Sequence, residues 1–193
     1  MYNSSVKEGL REGIPQKYTE QFTFKMDEKS RDILAEKLHG MMKEEIVKGG
    51  FEIVDSKFRG KSDESLNMKL KMFRKDSDLP IVDLCGMRYV LKTDGEVDNL
   101  VEWFRKNYQP PEKYNSEVPW IRDFRDDEVK NQVVFDFMQP DYKAVHVRLP
   151  FEYEGQIDFM EIQLVTVEQE KINQGNRAAF EKARRQNLDI IDL

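Results

Sequence analysis

Arg59, Lys61, Ser65 and Lys69 stand at the spacing Arg-x-Lys-x3-Ser-x3-Lys. Cations and a hydroxyl placed this way suit a polyphosphate: Arg forks onto phosphate oxygens, Lys acts as a point charge, and a helix N-terminus supplies free N–H groups. Ser65 and Lys69 are four apart and share a face if their segment is helical. By themselves these residues also fit a solvated basic turn. A second set is acidic. Asp83 lies in the run Ile81 to Leu91, where Arg88 is the only other charge. A carboxylate in a buried strand is costly unless it is paired or bound to metal, and a strand-edge or turn aspartate is the other reading. In Ile157 to Val165, alternation puts Phe159, Glu161, Gln163 and Val165 on one face, so a carboxylate and an amide project together.

The elements that must hold these residues are legible in part. Residues 1–24 have no sustained periodicity and form a loosely structured lead-in. Ser30 is the expected N-cap of a helix in which Ile33, Leu34, Leu38, Met41, Met42 and Ile46 recur at helical spacing and which Gly49-Gly50 closes. Phe51 and Ile53 begin a strand running to Phe58, and Leu66, Leu70 and Phe73 mark a short helix, so the basic cluster falls at a strand-to-helix junction. After Pro80 comes an apolar strand, central in a sheet, then a helix capped by Thr93 or Asp94 with Val97, Leu100, Val101 and Phe104 inward. Residues 107–131, with Pro110, Pro111 and Pro119 and many charges, read as a long loop that covers a substrate. Val133 to Phe137 suggest a strand. Lys143 to Leu149 and Gln156 to Val165, joined through Glu154-Gly155, read as an antiparallel hairpin. From Val167 the chain is helical in character, with Arg177, Lys182, Arg184 and Arg185 near its end.

Composition limits what such a chain can do. Its 193 residues make one domain, divided into an N-terminal helical segment (1–48), a core (49–166) and a C-terminal helix (167–193). Charged residues are 35% and hydrophobic ones 39%, with no apolar run near the roughly 18–20 residues of a membrane span. The single cysteine, Cys85, fits a reducing cytoplasm. With two histidines, His39 and His146, it argues against a structural zinc site. A net charge of −6 argues against a general nucleic-acid coat, so cations must be concentrated where they act.

Together these pieces resemble the synthetase domain of the RelA/SpoT family, in particular its stand-alone small alarmone synthetases. Arg59-Gly60-Lys61-Ser62-Asp63-Glu64-Ser65 with Lys69 is similar to the family's ATP-binding R-x-K-x3-S-x3-K. Asp83-Leu84-Cys85-Gly86-Met87-Arg88 is similar to D-L-x-G-x-R, whose Asp holds magnesium. Asp141-Tyr142-Lys143-Ala144-Val145-His146 resembles G-Y-R-S-I-H, whose Tyr stacks on the acceptor guanine. Glu161-Ile162-Gln163-Leu164-Val165-Thr166 is similar to E-I-Q-I-R-T, whose Glu completes the metal site and activates the attacking hydroxyl. The match runs from about residue 50 to 170. Val165 stands where the family has Arg, Asp141 where it has Gly, and Lys143 and Ala144 where it has Arg and Ser. These departures bear on the acceptor more than on the reaction.

The resemblance implies an α+β fold: a nucleotidyltransferase-like mixed, mostly antiparallel sheet of about five strands flanked by helices. It implies transfer of the β,γ-pyrophosphate of ATP to the ribose 3′-hydroxyl of GDP or GTP. Mg²⁺ would be held by Asp83 and Glu161, which are also the catalytic pair. The donor phosphates would lie on Arg59, Lys61, Ser65, Lys69 and Arg88, and the acceptor on Tyr142, Lys143, His146 and Gln163. A toxic branch of the family instead modifies the tRNA 3′ CCA end or adenosine nucleotides. A cognate antitoxin is a partner in that setting, and homo-oligomers occur among the small synthetases. A nucleotide-binding regulator that kept the fold is the non-enzymatic alternative. The family's hydrolase half needs a metal-binding His-Asp arrangement that two histidines do not make, so no alarmone hydrolysis is expected.

Overall fold

The computed structural model describes residues 26–66, 84–108, 120–126, 141–153 and 156–175. Helix α1 (Glu28–Lys48) starts at Asp27, whose carboxylate accepts the Ser30 N–H at 2.7 Å, and it ends where Gly49 and Gly50 turn the chain, Gly50 at φ 90°. Asp27 therefore takes the capping place expected of Ser30. A carboxylate there both accepts a free N–H and meets the positive end of the helix dipole. The buried face is Arg31, Ala35, Leu38, His39, Met42 and Ile46. Leu38, Met42 and Ile46 were expected in it, but Ile33 is 58% exposed. Leu34 also packs against the core, and the two polar residues Arg31 and His39 hold buried positions that apolar spacing does not indicate.

Strand β1 (Asp55–Gly60) begins later than expected and runs on through Arg59, while Phe51 and Ile53 pack against the core ahead of it. Strand β2 (Cys85–Leu91), helix α2 (Asp94–Asn107) and strands β3 (Ile121–Asp123), β4 (Val145–Tyr153) and β5 (Gln156–Thr166) follow. Residues 167–175 form helix α3. The sheet order is β1-β2-β5-β4-β3, with β2 and β5 parallel and the other neighbours antiparallel. This is the expected five-stranded, mostly antiparallel α+β sheet. Strand β3 lies inside the stretch read as a loop. The strand expected at 133–137, the helix at Leu70 and Phe73, and the basic residues after 176 fall outside the described residues. Among the described residues, no helix is long and apolar enough to cross a membrane.

One face of the sheet is apolar. Cys85, Met87 and Tyr89 of β2, Met160, Ile162 and Leu164 of β5, and Val145, Val147 and Leu149 of β4 form a single cluster with α1 and α2. Helix α2 enters this core through a capping box, Thr93 with Glu96, and buries Val97, Leu100, Val101 and Phe104, the stripe its spacing predicts.

Gly60 marks the closest approach of α1 to the sheet. A β-carbon there would lie 2.7 Å from the Arg31 carbonyl carbon and from the Asp32 amide, both backbone atoms. Gly60→Ala is expected to lower stability by about 1–3 kcal/mol, since backbone must shift to admit it. Gly40, in α1, is the control, because a methyl there would meet no atom within 4 Å. Gly40→Ala is expected to be stabilising by roughly 0.5–1 kcal/mol. Urea midpoints of the two variants decide the matter.

His39 is buried between the rings of Tyr89, stacked at 5.3 Å, and Phe58, tilted at 5.1 Å, with its Nε2 lacking a hydrogen-bond partner among the described residues. Burial, and then the charge of Lys43, hold its pKa below the ordinary 6.5. The unfolded chain therefore binds a proton more readily than the folded one. His39's contribution to stability is complete above the unfolded value and is lost as pH falls from there through the lower folded value. The drop in Tm between pH 7.5 and 5.5 is expected to be smaller in His39→Phe than in the wild type, and an unchanged drop would show that His39 does not titrate on unfolding.

Candidate active site

The opposite face of the sheet is polar, and the strand register sets its residues in two rows. Arg59 of β1 pairs with Gly86 of β2, Gly86 with Glu161 of β5, and Glu161 with Arg148 of β4. One step along, Lys57 pairs with Arg88, Arg88 with Gln163, Gln163 with His146, and His146 with Arg122 of β3. Cross-strand partners share a face, so five strands project their chemistry to one side. Gly86 leaves the floor between Arg59 and Glu161 bare: a β-carbon there would only reach 3.7 Å from Arg59 Cγ.

The basic cluster begins at the end of β1. Arg59 is exposed on the strand, and Lys61 is 8% exposed just beyond it. Ser62 opens a helical turn at residues 63–66, its Oγ accepting the Ser65 N–H at 3.2 Å and lying 3.0 Å from Ser65 Oγ. The N-terminal turn of α1 holds this junction. Arg31, 1% exposed, donates from Nε to the Lys61 carbonyl at 2.5 Å and from Nη1 to the Met26 carbonyl at 2.6 Å, and it pairs with Asp63. Asp32 accepts the Gly60 N–H at 2.9 Å, and Glu28 accepts that of Asp63 at 3.0 Å. The Lys61 N–H reaches the Leu84 carbonyl at 2.8 Å, which ties the cluster to the approach of β2. Lys69 and Asp83 lie outside the described residues.

Glu161 sits at the centre of the first row. Its Oε1 accepts from Gln163 Nε2 at 3.0 Å, and its Oε2 lies 3.2 Å from His146 Nδ1 and 3.4 Å from Arg148 Nη2. Arg88 is turned to Gln163, with Nε and Nη2 at 3.0 and 2.6 Å from Gln163 Oε1, and to Glu170 of α3, with Nη1 at 2.7 Å from Oε2. Lys57 Nζ and Gln174 Nε2 also donate to Glu170, at 2.8 and 2.5 Å. Burial alone would raise the Glu170 pKa, but the bonds from Lys57 and Gln174 and the charge of Arg88 outweigh it and hold the carboxyl below its ordinary range.

Tyr142 joins this group through its hydroxyl, 2.6 Å from His146 Nε2, and its ring meets those of Phe124 and His146 edge-on. Burial and then the Glu161 carboxylate push its phenol pKa well up, so it stays a neutral hydroxyl. Val165 lies in a small apolar cluster with Val90 and Ala144, against which Tyr142 and Val167 pack. Lys143 is exposed elsewhere. Its backbone is held by Asn173, and the residue lines an open cleft with Asp94, Asp98, Asp123, Asp126, Arg125 and Gln169. The fold thus brings Arg59, Arg88, Tyr142, His146, Glu161 and Gln163 to one face, with Lys61 and Ser65 at its rim, and leaves Lys143 on another side.

Sequence reasoning missed Arg31, Lys57, Arg148 and Glu170. Arg148 carried a signal, since it stands two residues from His146 in a strand and so shares its face. The start of α3 was also legible: Thr166 and Gln169 bond each other's backbone N–H groups, at 3.2 and 3.0 Å, as a Thr-x-x-Gln capping box does. Among the described residues no group of three or more His, Cys, Asp or Glu side chains converges on a metal position.

No protein-family model matches the sequence, and no curated protein is similar to it. Solved structures are similar in fold. Small alarmone synthetase 1 from Bacillus subtilis bound to its product pppGpp aligns at a TM-score of 0.52 with 13% identity, over 78% of this chain and 77% of that one. The smu.1046c protein of Streptococcus mutans UA159 also aligns at 0.52, with 17% identity over 79% of this chain and 75% of that one. The chain has the fold of the RelA/SpoT-type synthetase domain, that of the small alarmone synthetases.

Proposed function

We propose that this protein is an ATP-dependent pyrophosphokinase that transfers the β,γ-pyrophosphate of ATP to the ribose 3′-hydroxyl of GDP or GTP. The observation that carries the reading is the first row of the polar face: an arginine on β1, a bare glycine floor on β2 and a carboxylate on β5, side by side. In the reaction the acceptor 3′-oxygen bonds to the β-phosphorus, the bond from that phosphorus to the α,β-bridging oxygen breaks, and AMP leaves. Arg59, Lys61 and Ser65, with Lys69, hold the donor phosphates and neutralise charge on the non-bridging oxygens. Glu161 takes the proton of the attacking hydroxyl, and the hydrogen bond from Gln163 fixes its position. Tyr142 offers the acceptor base an aromatic wall, a contact worth roughly 1–3 kcal/mol where bases stack on such rings.

The donor set beside Gly86 fits a hard divalent ion. Glu161 supplies carboxylate oxygens next to an unfilled floor, Asp83 precedes β2 in the chain, and substrate phosphates complete such sites. Mg²⁺ held there by Asp83 and Glu161 would neutralise charge on the phosphates and orient them for in-line attack. Arg88 is engaged by Gln163 and Glu170, so its part is to order the second row and to meet phosphate with the N–H groups those partners leave over.

The test incubates the protein with Mg²⁺, γ-labelled ATP and, separately, GDP, GTP, ATP or deacylated tRNA. Label on GDP or GTP with an equal amount of AMP is the expected result. Label on tRNA or on an adenosine nucleotide would assign the acceptor of the toxic branch instead, and binding to an RNA acceptor would weaken steeply with salt. No AMP with any acceptor would overturn the enzymatic reading in favour of a nucleotide-binding regulator.

A further inference from the structure

Arg148 is a cation of the polar face that is withdrawn from water yet has few acceptors among the described residues. Its side chain is 11% exposed, and among the described residues it makes one long hydrogen bond, Nη2 to Glu161 Oε2 at 3.4 Å. Among the described residues its Nε–H has no acceptor, and Nδ1 of His146 has no hydrogen-bond partner although it is within 3.2 Å of the same Glu161 oxygen. Three other buried or half-buried arginines differ. Arg31 is held by two carbonyls and Asp63, Arg88 by Gln163 and Glu170, and Arg125 by Asp94, Asp98 and Asp123. A guanidinium has five donors, and withdrawing it from water without acceptors is unfavourable unless something else supplies them. Unpartnered polar groups flanking one carboxylate, an arginine N–H among them, mark a place where a ligand's oxygens belong.

Position says which ligand. Arg148 is on β4, one strand beyond Glu161, whereas Arg59 of the donor cradle is on β1, two strands to the other side. At the usual strand spacing Arg59 and Arg148 are about 14 Å apart across the sheet, with Glu161 between them. A group bound at Arg148 therefore lies on the acceptor side of the base. We propose that Arg148 binds a phosphate of the acceptor nucleotide, making the site selective for a phosphorylated acceptor over a neutral nucleoside. A phosphate matches the guanidinium fork and offers the charge that a ribose hydroxyl lacks. The inference rests on Glu161 serving an acceptor hydroxyl, as proposed above.

The experiment measures equilibrium binding of GDP and of guanosine to the full chain, with Mg²⁺ and a non-hydrolysable ATP analogue filling the donor cradle. Wild type, Arg148→Gln and Arg148→Lys are compared, each checked by thermal melting. Wild type is expected to prefer GDP over guanosine by about tenfold or more; Arg148→Gln should lose most of that preference through weaker GDP binding while guanosine is unchanged. Arg148→Lys, which keeps the charge and loses the fork, should fall between them, and it decides the matter if the Gln variant does not fold. An unchanged GDP-to-guanosine ratio in the variants, equal weakening of both ligands, or no GDP binding to wild type would each overturn the assignment. The pyrophosphokinase reading fails separately, on absence of AMP release by wild type with every acceptor.

Discussion

Glu161→Gln is expected to lower kcat for pyrophosphoryl transfer by about 10²–10⁴-fold, the usual scale of a lost general base, with a smaller rise in the KM for ATP from the weaker hold on Mg²⁺. The amide is nearly the same size and cannot take a proton from the acceptor hydroxyl. The donor cradle lies on β1 and the turn after it, two strands from β5, and its supports come from α1 rather than from Glu161. The variant should also melt close to wild type, because an oxygen at the same place can still accept from Gln163 Nε2, as Glu161 Oε1 does at 3.0 Å. Steady-state kinetics with ATP and the labelled acceptor, together with a thermal melt, separate the outcomes. A full rate would remove Glu161 from the chemistry. A loss confined to KM would make it a binding group instead.

Much of the architecture could be read from periodicity, and the exceptions share a cause. The α2 stripe, the hairpin of β4 and β5 and the shared face of Glu161 and Gln163 follow from spacing because in each case one side of the element is apolar. Helix α1 has less contrast: Arg31 and His39 occupy its buried face, and Ile33, which fits the apolar spacing, is exposed. Strand β3 is three residues on a sheet edge, too short for alternation to register among prolines and charges.

The candidate site shows a further limit. Alternation along β5 puts Glu161 on a face, but register decides that Arg59, Gly86 and Arg148 stand beside it, and register between distant strands is settled by packing of the whole sheet. Glu170 was unreadable for a similar reason. A glutamate in a charged helix reads as solvated, and only the docking of α3 beside β1 and β2 turns it into the shared partner of Lys57 and Arg88.

Arg31→Ala tests whether the phosphate cradle is built by the helix in front of it. Arg31 is 1% exposed while its partner Asp63 is 65% exposed, so the ion pair itself contributes little and Asp63 can return to water. The cost falls on the carbonyls of Met26 and Lys61, which lose a charged donor, and on the space the long side chain fills. Losing a charged hydrogen bond at a buried acceptor is worth about 1–3 kcal/mol, so the variant is expected to lose about 2–4 kcal/mol of stability in urea unfolding. Its KM for ATP should rise as well, because Lys61 and Ser65 follow directly on the backbone that Arg31 holds. Arg31→Lys separates the two effects. It keeps a charge to reach one carbonyl but not both, so stability should recover in part while the KM for ATP stays raised. If Arg31→Ala left both the urea midpoint and the KM unchanged, the cradle would owe its shape to β1 and the turn at 63–66 alone, and α1 would be only a cover for the core.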